Sequence, residues 1–294
     1  MKLSHFLMFA VLFALSVCHS TDAAVTRSDR GPTFLHDKLL RSKLVSEGEK
    51  LINGGRFAPA SELRTQLTRR TCQVSLPAPG QANLSLVELV KRRQSGVLIV
   101  SGLYKCDRCE KWHGSGASAV ALTEDGVFAT CYHVVAATNR HAFFVMTLDG
   151  EVAPVVEVLA ADEKADVAIC RVAGIKLSPV PLAAKNPPIG SPISLISHPS
   201  GQHFTLTTGV ISRYFFKPVT KTRSTPAMAI TAEFAKGSSG GPVLDAAGNV
   251  VGLAASTRSI YYNQAHGKQE NLQMVTRQCV PLNAIRELFV IDSD

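Results

Sequence analysis

The strongest chemical signal in the chain is Lys236-Gly237-Ser238-Ser239-Gly240-Gly241-Pro242-Val243. Three glycines around a hydroxyl permit a tight turn whose backbone N–H groups converge on one point, which is what holding an oxyanion demands. A serine hydroxyl is a weak nucleophile, so it needs a base within hydrogen-bond reach and a group that orients the base. Upstream, His133 stands in Ala129-Thr130-Cys131-Tyr132-His133-Val134-Val135, and Asp166 in Ala165-Asp166-Val167-Ala168-Ile169. Taken singly, a Gly-rich turn, a His after an apolar run and an Asp opening a strand are each most often structural. Taken together, in the order His, Asp, Ser with gaps of 33 and 73 residues, they have the composition and order of an acyl-transfer triad. A second constellation, Cys106-Asp107-Arg108-Cys109 followed by Trp112 and His113, has three readings. It forms a short disulfide, a redox pair, or part of a zinc site with His113 and a fourth ligand.

Short strands must position these side chains. From residue 95 onward the chain reads as apolar or alternating runs between Gly, Pro, Asp and Asn: 97–104, 117–122, 127–129, 142–148, 153–159, 167–172, 193–197, 204–211, 227–231, 243–244, 250–255 and 272–276. Many short strands at regular spacing predict an all-β sandwich or a pair of barrels. His133 then ends one strand after an Asp125-Gly126 turn, and Asp166 opens another. Ahead of the strands, helical spacing over 35–52, 61–70 and 84–93 predicts three helices, with Gly54 and Gly55 stopping the first. Residues 281–289 read as a closing helix. The loop 76–80, with Pro77, Pro79 and Gly80, marks a boundary between a basic extension, 25–80, and a domain over 81–294.

The three segments around His133, Asp166 and Ser239, with Gly248-Asn249-Val250-Val251-Gly252-Leu253 after them, resemble the trypsin-like serine peptidases, closest to the bacterial HtrA/Deg branch, over roughly residues 84–294. The resemblance implies two six-stranded antiparallel Greek-key β-barrels with the active site between them. It implies His133 as general base, Asp166 as its orienting group and Ser239 as nucleophile, with the N–H groups of Gly237 and Ser239 as oxyanion hole. Ser238 is the competing serine, but the family motif puts the nucleophile directly before the Gly-Gly pair. By the same analogy Ala254, Ala255 and Ser256 pair with the substrate backbone. Glu233 lies six residues before the nucleophile, where trypsin keeps its pocket carboxylate; the plainer reading is a solvated or paired Glu. Polypeptide substrates are implied, and no metal or cofactor takes part in such a mechanism. There are departures. Only 55 residues follow Ser239, too few for the PDZ domain usual in HtrA enzymes, and Ser238 stands where trypsins carry the Asp that pairs with a new N-terminus. Cys131 replaces the usual Asn and is read as a buried Cys.

Composition narrows the partners. The 294 residues are 46% hydrophobic and 18% charged, which excludes a disordered, collagenous or coiled-coil chain. Of the net +8, most lies in residues 25–93, where thirteen Lys or Arg face six Asp or Glu. Basicity outside the main fold, with aromatics at 6%, argues against nucleic acid as partner. The first 24 residues have a charged start, an apolar run over 6–17 and small residues after it, predicting a secretory signal and export to the periplasm or medium. That run is too short to span a membrane. Signal removal leaves six cysteines, an even number that permits disulfides in an exported protein. The predicted function is an exported serine endopeptidase. The alternative is a non-catalytic binding or envelope adhesion protein on the same fold, with the basic extension acting as the binding element.

Overall fold

A computed structural model describes residues 25–26, 34–265 and 268–290; the expected signal segment, 1–24, lies outside them. Two short strands, β1 (Val25–Thr26) and β2 (Phe34–Leu35), pair before helices α1 (Asp37–Asn53), α2 (Ala60–Thr65) and α3 (Leu86–Arg93). The 3.6-residue period of α1 puts Leu40, Leu44 and Gly48 on one buried face. Gly48 lets the helix settle on the barrel, because a Cβ there would stand 2.8 Å from Leu103 Cδ2. α3 starts on a capping Ser-x-x-Glu: the Ser85 hydroxyl accepts from Glu88 N at 3.2 Å, and Lys91, Arg92 and Arg93 occupy the negative end of the helix.

The remainder is two closed six-stranded antiparallel barrels. The first contains β3 (Val97–Cys106), β4 (Cys109–Ala121), β5 (Val127–Thr130), β6 (Ala142–Met146), β7 (Val152–Asp162) and β8 (Val167–Val172), closed in the order β3-β4-β5-β8-β7-β6. The second contains β9 (Pro192–Ser197), β10 (Thr205–Pro218), β11 (Ser224–Ile230), β12 (Pro242–Leu244), β13 (Val250–Ala265) and β14 (Lys268–Pro281), closed as β10-β11-β14-β13-β12-β9. Helix α4 (Tyr132–Val135) follows β5, and α5 (Leu282–Arg286) closes the described fold.

The unbroken apolar run of β3 has a direct cause. Val97, Ile99 and Leu103 enter one buried cluster, which also holds Leu40 and Leu44 of α1, while Leu98 and Val100 enter another with Leu63 and Phe128. Both faces of the strand are therefore covered, and alternation disappears. The basic extension is built onto the barrels: Leu40 and Leu63 are fully buried, and Cys72 N donates to Leu288 O at 2.8 Å.

Three hairpins run well past the predicted strands. β4 begins at Cys109, β10 continues to Pro218, and β13 and β14 pair as far as Ala265 and Lys268. Their outer halves are two-stranded ribbons exposed over much of their length, with Phe216, Tyr262, Leu272 and Met274 at the surface, so no continuous buried face imposes alternation. Among the described residues no helix is long and apolar enough to cross a membrane.

Candidate active site

The three residues of the predicted triad meet where the barrels face each other. His133 lies in the first turn of α4, directly beyond β5. Its Nδ1 is 2.9 Å from both Asp166 carboxylate oxygens, and its backbone N–H donates to Asp166 Oδ1 at 3.0 Å. The carboxylate thus holds both the ring and the backbone of one residue, and it selects the tautomer with the proton on Nδ1. Asp166 reaches this position through a left-handed backbone, φ +61°, at the end of the turn before β8, a region that Asp tolerates better than most side chains. Within that turn Asp162 Oδ1 accepts from Lys164 N and Ala165 N at 2.7 and 3.1 Å. His133 Nε2 is 3.0 Å from Ser239 Oγ, across the cleft between the barrels.

Ser239 is half-buried, and its Oγ also lies 3.2 Å from Ala255 O on β13. Ser238 faces the other way. It is fully buried, and its hydroxyl accepts from Ser197 Oγ at 2.9 Å. Gly237 has φ +100°, and a Cβ there would come within 2.4 Å of His198 O. The Lys236 carbonyl is held by Ser200 N at 2.6 Å. In a trans peptide the N–H points opposite to its carbonyl, so Gly237 N–H faces away from Ser200. Among the described residues, neither Gly237 N–H nor Ser239 N–H donates to a protein acceptor. Gly240 is equally constrained: a Cβ there would stand 2.2 Å from Ser118 O and 2.4 Å from Thr130 Oγ1.

That close approach locks the two barrels together under the serine turn. Ser118 of β4 donates its N–H to Ser239 O at 2.9 Å and its hydroxyl to Gly237 O at 2.9 Å, and accepts from His198 N at 3.1 Å. His198 is fully enclosed. Its Nε2 donates to Leu98 O at 3.0 Å in the first barrel, and its Nδ1 accepts from Phe204 N at 2.9 Å in the second. Both bonds require neutral imidazole, and burial, then the neighbouring His203, pushes its pKa down to about 3. Neither Ser118 nor His198 was a sequence candidate. The only local signal for His198 is a lone His between the end of an apolar strand and a Pro-Ser-Gly turn.

The other candidates fall as follows. Cys131 is buried, as expected, and its thiol lies 3.3 Å from Ala254 O, another tie between the barrels. Burial, then the Asp166 charge, raises its pKa well above the ordinary thiol range, so it stands beside His133 as a neutral group. Ala254 is tied to the serine turn through Gly240 N→Ala254 O at 2.8 Å and Ala254 N→Gly241 O at 2.9 Å. Glu233 is largely exposed and is ion-paired with the mostly buried Arg277, so its charge is neutralised. A cleft of about 400 Å³ opens beside the Lys236–Gly237 peptide, bordered by Arg41 of α1, Tyr104, Ser115 and Arg140.

Among the described residues none of the disulfides that the sequence permits is present. All six are free thiols, and Cys106 Sγ and Cys109 Sγ are 3.4 Å apart. The Arg108 backbone and then the Cys109 thiol hydrogen-bond the Cys106 sulfur and lower its pKa.

A family model described as a trypsin-like peptidase domain matches residues 117–253, a span that contains all three residues of the hydrogen-bonded chain. Over that span the chain is similar to trypsin-like peptidase domains. Its relatives lie in the HtrA branch of that family, as the sequence resemblance implied. It is 29% identical over 193 residues to Protease Do-like 1, chloroplastic, of Arabidopsis thaliana, covering 61% of this chain and 43% of that protein. It is 29% identical over 144 residues to Serine protease HTRA1 of Xenopus laevis, covering 47% and 31%. The chain therefore spans less than half the length of these curated relatives. Among solved structures, the HtrA-type protease AlgW with a tripeptide superposes with a TM-score of 0.52 at 21% identity, covering 68% of this chain and 60% of the other. A variant of that protease with a decapeptide gives 0.54 at 19%, covering 68% and 64%. These neighbours show the fold, and the sequence relatives point to serine protease chemistry.

Proposed function

We propose that this trypsin-like domain is an exported serine endopeptidase that cleaves polypeptides through an acyl-enzyme. The observation that carries the reading is the continuous hydrogen-bonded chain Ser239 Oγ, His133 Nε2, His133 Nδ1, Asp166, at 3.0 and 2.9 Å, assembled from both barrels. In the acylation step Ser239 Oγ attacks the scissile carbonyl carbon while its proton passes to His133 Nε2. The imidazolium is stabilised by Asp166, and the carbonyl oxygen, now an anion, takes the N–H groups of Gly237 and Ser239. Collapse expels the amine, which receives the proton from Nε2. Water then repeats the sequence on the ester, releasing the carboxylic acid and regenerating the serine.

The substrate backbone pairs with Ala255 and Ser256, whose small side chains leave room beside Ser239; Ala254, expected to join them, is buried with its N–H and carbonyl both bonded to the serine turn and stands behind the strand edge. Because Arg277 pairs with Glu233, Glu233 is not available to select a basic substrate side chain. The cationic cleft bordered by Arg41, Arg140 and Lys236 receives the chain on the leaving-group side. Export rests on the sequence of residues 1–24, and the basic extension is a structural support of the first barrel.

The test is labelling of the folded chain with a fluorophosphonate probe, followed by mapping of the adduct. A single adduct on Ser239, lost in Ser239→Ala and retained in Ser238→Ala, is expected. A folded chain that takes no label, or takes it on another residue, would refute the mechanism.

A further inference from the structure

The β3–β4 ribbon carries chemistry that acyl transfer does not use. Cys106 and Cys109 are direct partners across a two-residue turn, and Tyr104 is the partner of His113. The ladder is irregular between Lys105 and Cys106, where Glu110 and Lys111 of β4 have no partner in the register, and at this bulge both sulfurs lie against the His113 ring. The result is a triangle of soft donors: Cys106 Sγ to His113 Nε2 is 3.3 Å, Cys109 Sγ to the same Nε2 is 3.1 Å, and the two sulfurs are 3.4 Å apart. The Tyr104 ring lies against the His113 ring with centroids 5.5 Å apart, and the Arg140 guanidinium covers Tyr104 at 4.5 Å. Packing from below thus holds the imidazole with its Nε2 toward the turn.

We propose that this hairpin tip is a zinc-type metal site, with Cys106 and Cys109 thiolates and the His113 imidazole as three ligands and a fourth position open to solvent. A tetrahedral ion with Zn–S near 2.3 Å and Zn–N near 2.0–2.1 Å spaces neighbouring donors by about 3.5–3.8 Å. Ion entry therefore asks each edge of the observed triangle to widen by only a few tenths of an ångström. A disulfide accounts for two of the groups but gives the imidazole nothing to do, whereas a metal uses all three. Two thiolates and an imidazole favour Zn²⁺ or a similarly soft ion over Mg²⁺ or Ca²⁺. Among the described residues no fourth His, Cys, Asp or Glu joins the cluster, and Cys109 is exposed. All three ligands come from one side of a ribbon, which leaves the fourth vertex to water or to a donor from another molecule. Binding expels the thiol protons to solvent, two per ion if both are protonated.

Among the described residues no other metal-capable cluster holds two cysteines. Cys131, Cys170 and Cys279 are buried and their thiols are pushed up by that burial, and half-buried Cys72 is raised to about 11.

The experiment uses the full chain, reduced and stripped with a chelator, then titrated with Co²⁺ and with Zn²⁺. One Co²⁺ per chain is expected, with a thiolate-to-cobalt charge-transfer band and intense tetrahedral d–d absorption, both abolished by displacement with Zn²⁺. The Cys106→Ser/Cys109→Ser variant should lose the charge-transfer band. His113→Ala should weaken binding by at least about 100-fold, beyond the effect of an outer-sphere partner. Circular dichroism should show all variants folded, since the tip is exposed. A reduced chain that takes up no cobalt would overturn the proposal, as would uptake and a spectrum unchanged in the double variant. Because the readout is the metal and not hydrolysis, this result stands apart from the peptidase reading.

Discussion

Gly237→Ala tests whether the Lys236–Gly237 peptide is a catalytic element or merely a turn. At φ +100° an alanine costs about 1–3 kcal/mol of backbone strain. The added Cβ would also stand 2.4 Å from His198 O and 3.4 Å from Ser200 N, against backbone atoms that are themselves hydrogen-bonded and cannot give way. The cheapest relief is rotation of the peptide, which carries Gly237 N–H out of the position facing Ser239. Loss of one oxyanion donor costs about 2.7–4 kcal/mol in the transition state, a fall in kcat of roughly 10²–10³. KM should change little, because the oxyanion exists only after attack. Strain alone should lower the melting temperature by about 2–12 °C in a chain of this size. The assay is steady-state hydrolysis of a quenched-fluorescent peptide beside a thermal melt. Gly55→Ala is the control for strain: Gly55 has φ +67° with open space around it, so it should lose stability and keep kcat. Should Gly237→Ala melt lower yet turn over within threefold of the parent, the peptide N–H plays no part in the chemistry and the oxyanion assignment fails.

Two further outcomes follow from the same geometry. Asp166→Asn preserves shape but puts an N–H donor in place of one carboxylate oxygen and removes the charge, which favours the His133 tautomer with its proton on Nε2, so kcat should fall by about 10⁴; hydrolysis within tenfold of the parent would remove Asp166 from the mechanism. His198 is neutral in the folded chain down to about pH 3, whereas an unfolded His takes a proton near pH 6.5. Its contribution to stability is therefore complete above about pH 6.5 and lost as pH falls toward 3, at up to about 1.4 kcal/mol per pH unit. His198→Asn should be less stable than the parent at pH 7.5 but show a shallower loss between pH 6.5 and 4.5, read by urea unfolding across that range; equal slopes would show that the acid sensitivity lies elsewhere.

Much of this was open to reading in the chain itself, because local pattern reports local conformation and burial. The strand runs of the two barrels, the capped helix before them and the buried Cys131 all follow from periodicity and residue type. The segments holding His133, Asp166 and Ser239 were found by composition and order, since a nucleophile, a base and an orienting carboxylate restrict the residues that qualify. Tertiary structure decided the rest, for reasons that no single window contains. By residue type Ser238 and Ser239 are equivalent and only the family resemblance favoured Ser239; the direction of the turn is what physically aims Ser239 at His133 and sets Ser238 against Ser197. Ser118 and His198 lie 80 residues apart and join only when the barrels close on one another, so neither carried a local mark of its place under the serine turn. The outer halves of the long hairpins escaped detection because a two-stranded ribbon without a continuous buried face needs no alternation. The same ribbon left the Cys106, Cys109 and His113 cluster undecided among disulfide, redox pair and metal. Their spacing alone permits all three, and it is the antiparallel register, pairing Cys106 with Cys109 and His113 with Tyr104, that brings two sulfurs and an imidazole nitrogen to a single point.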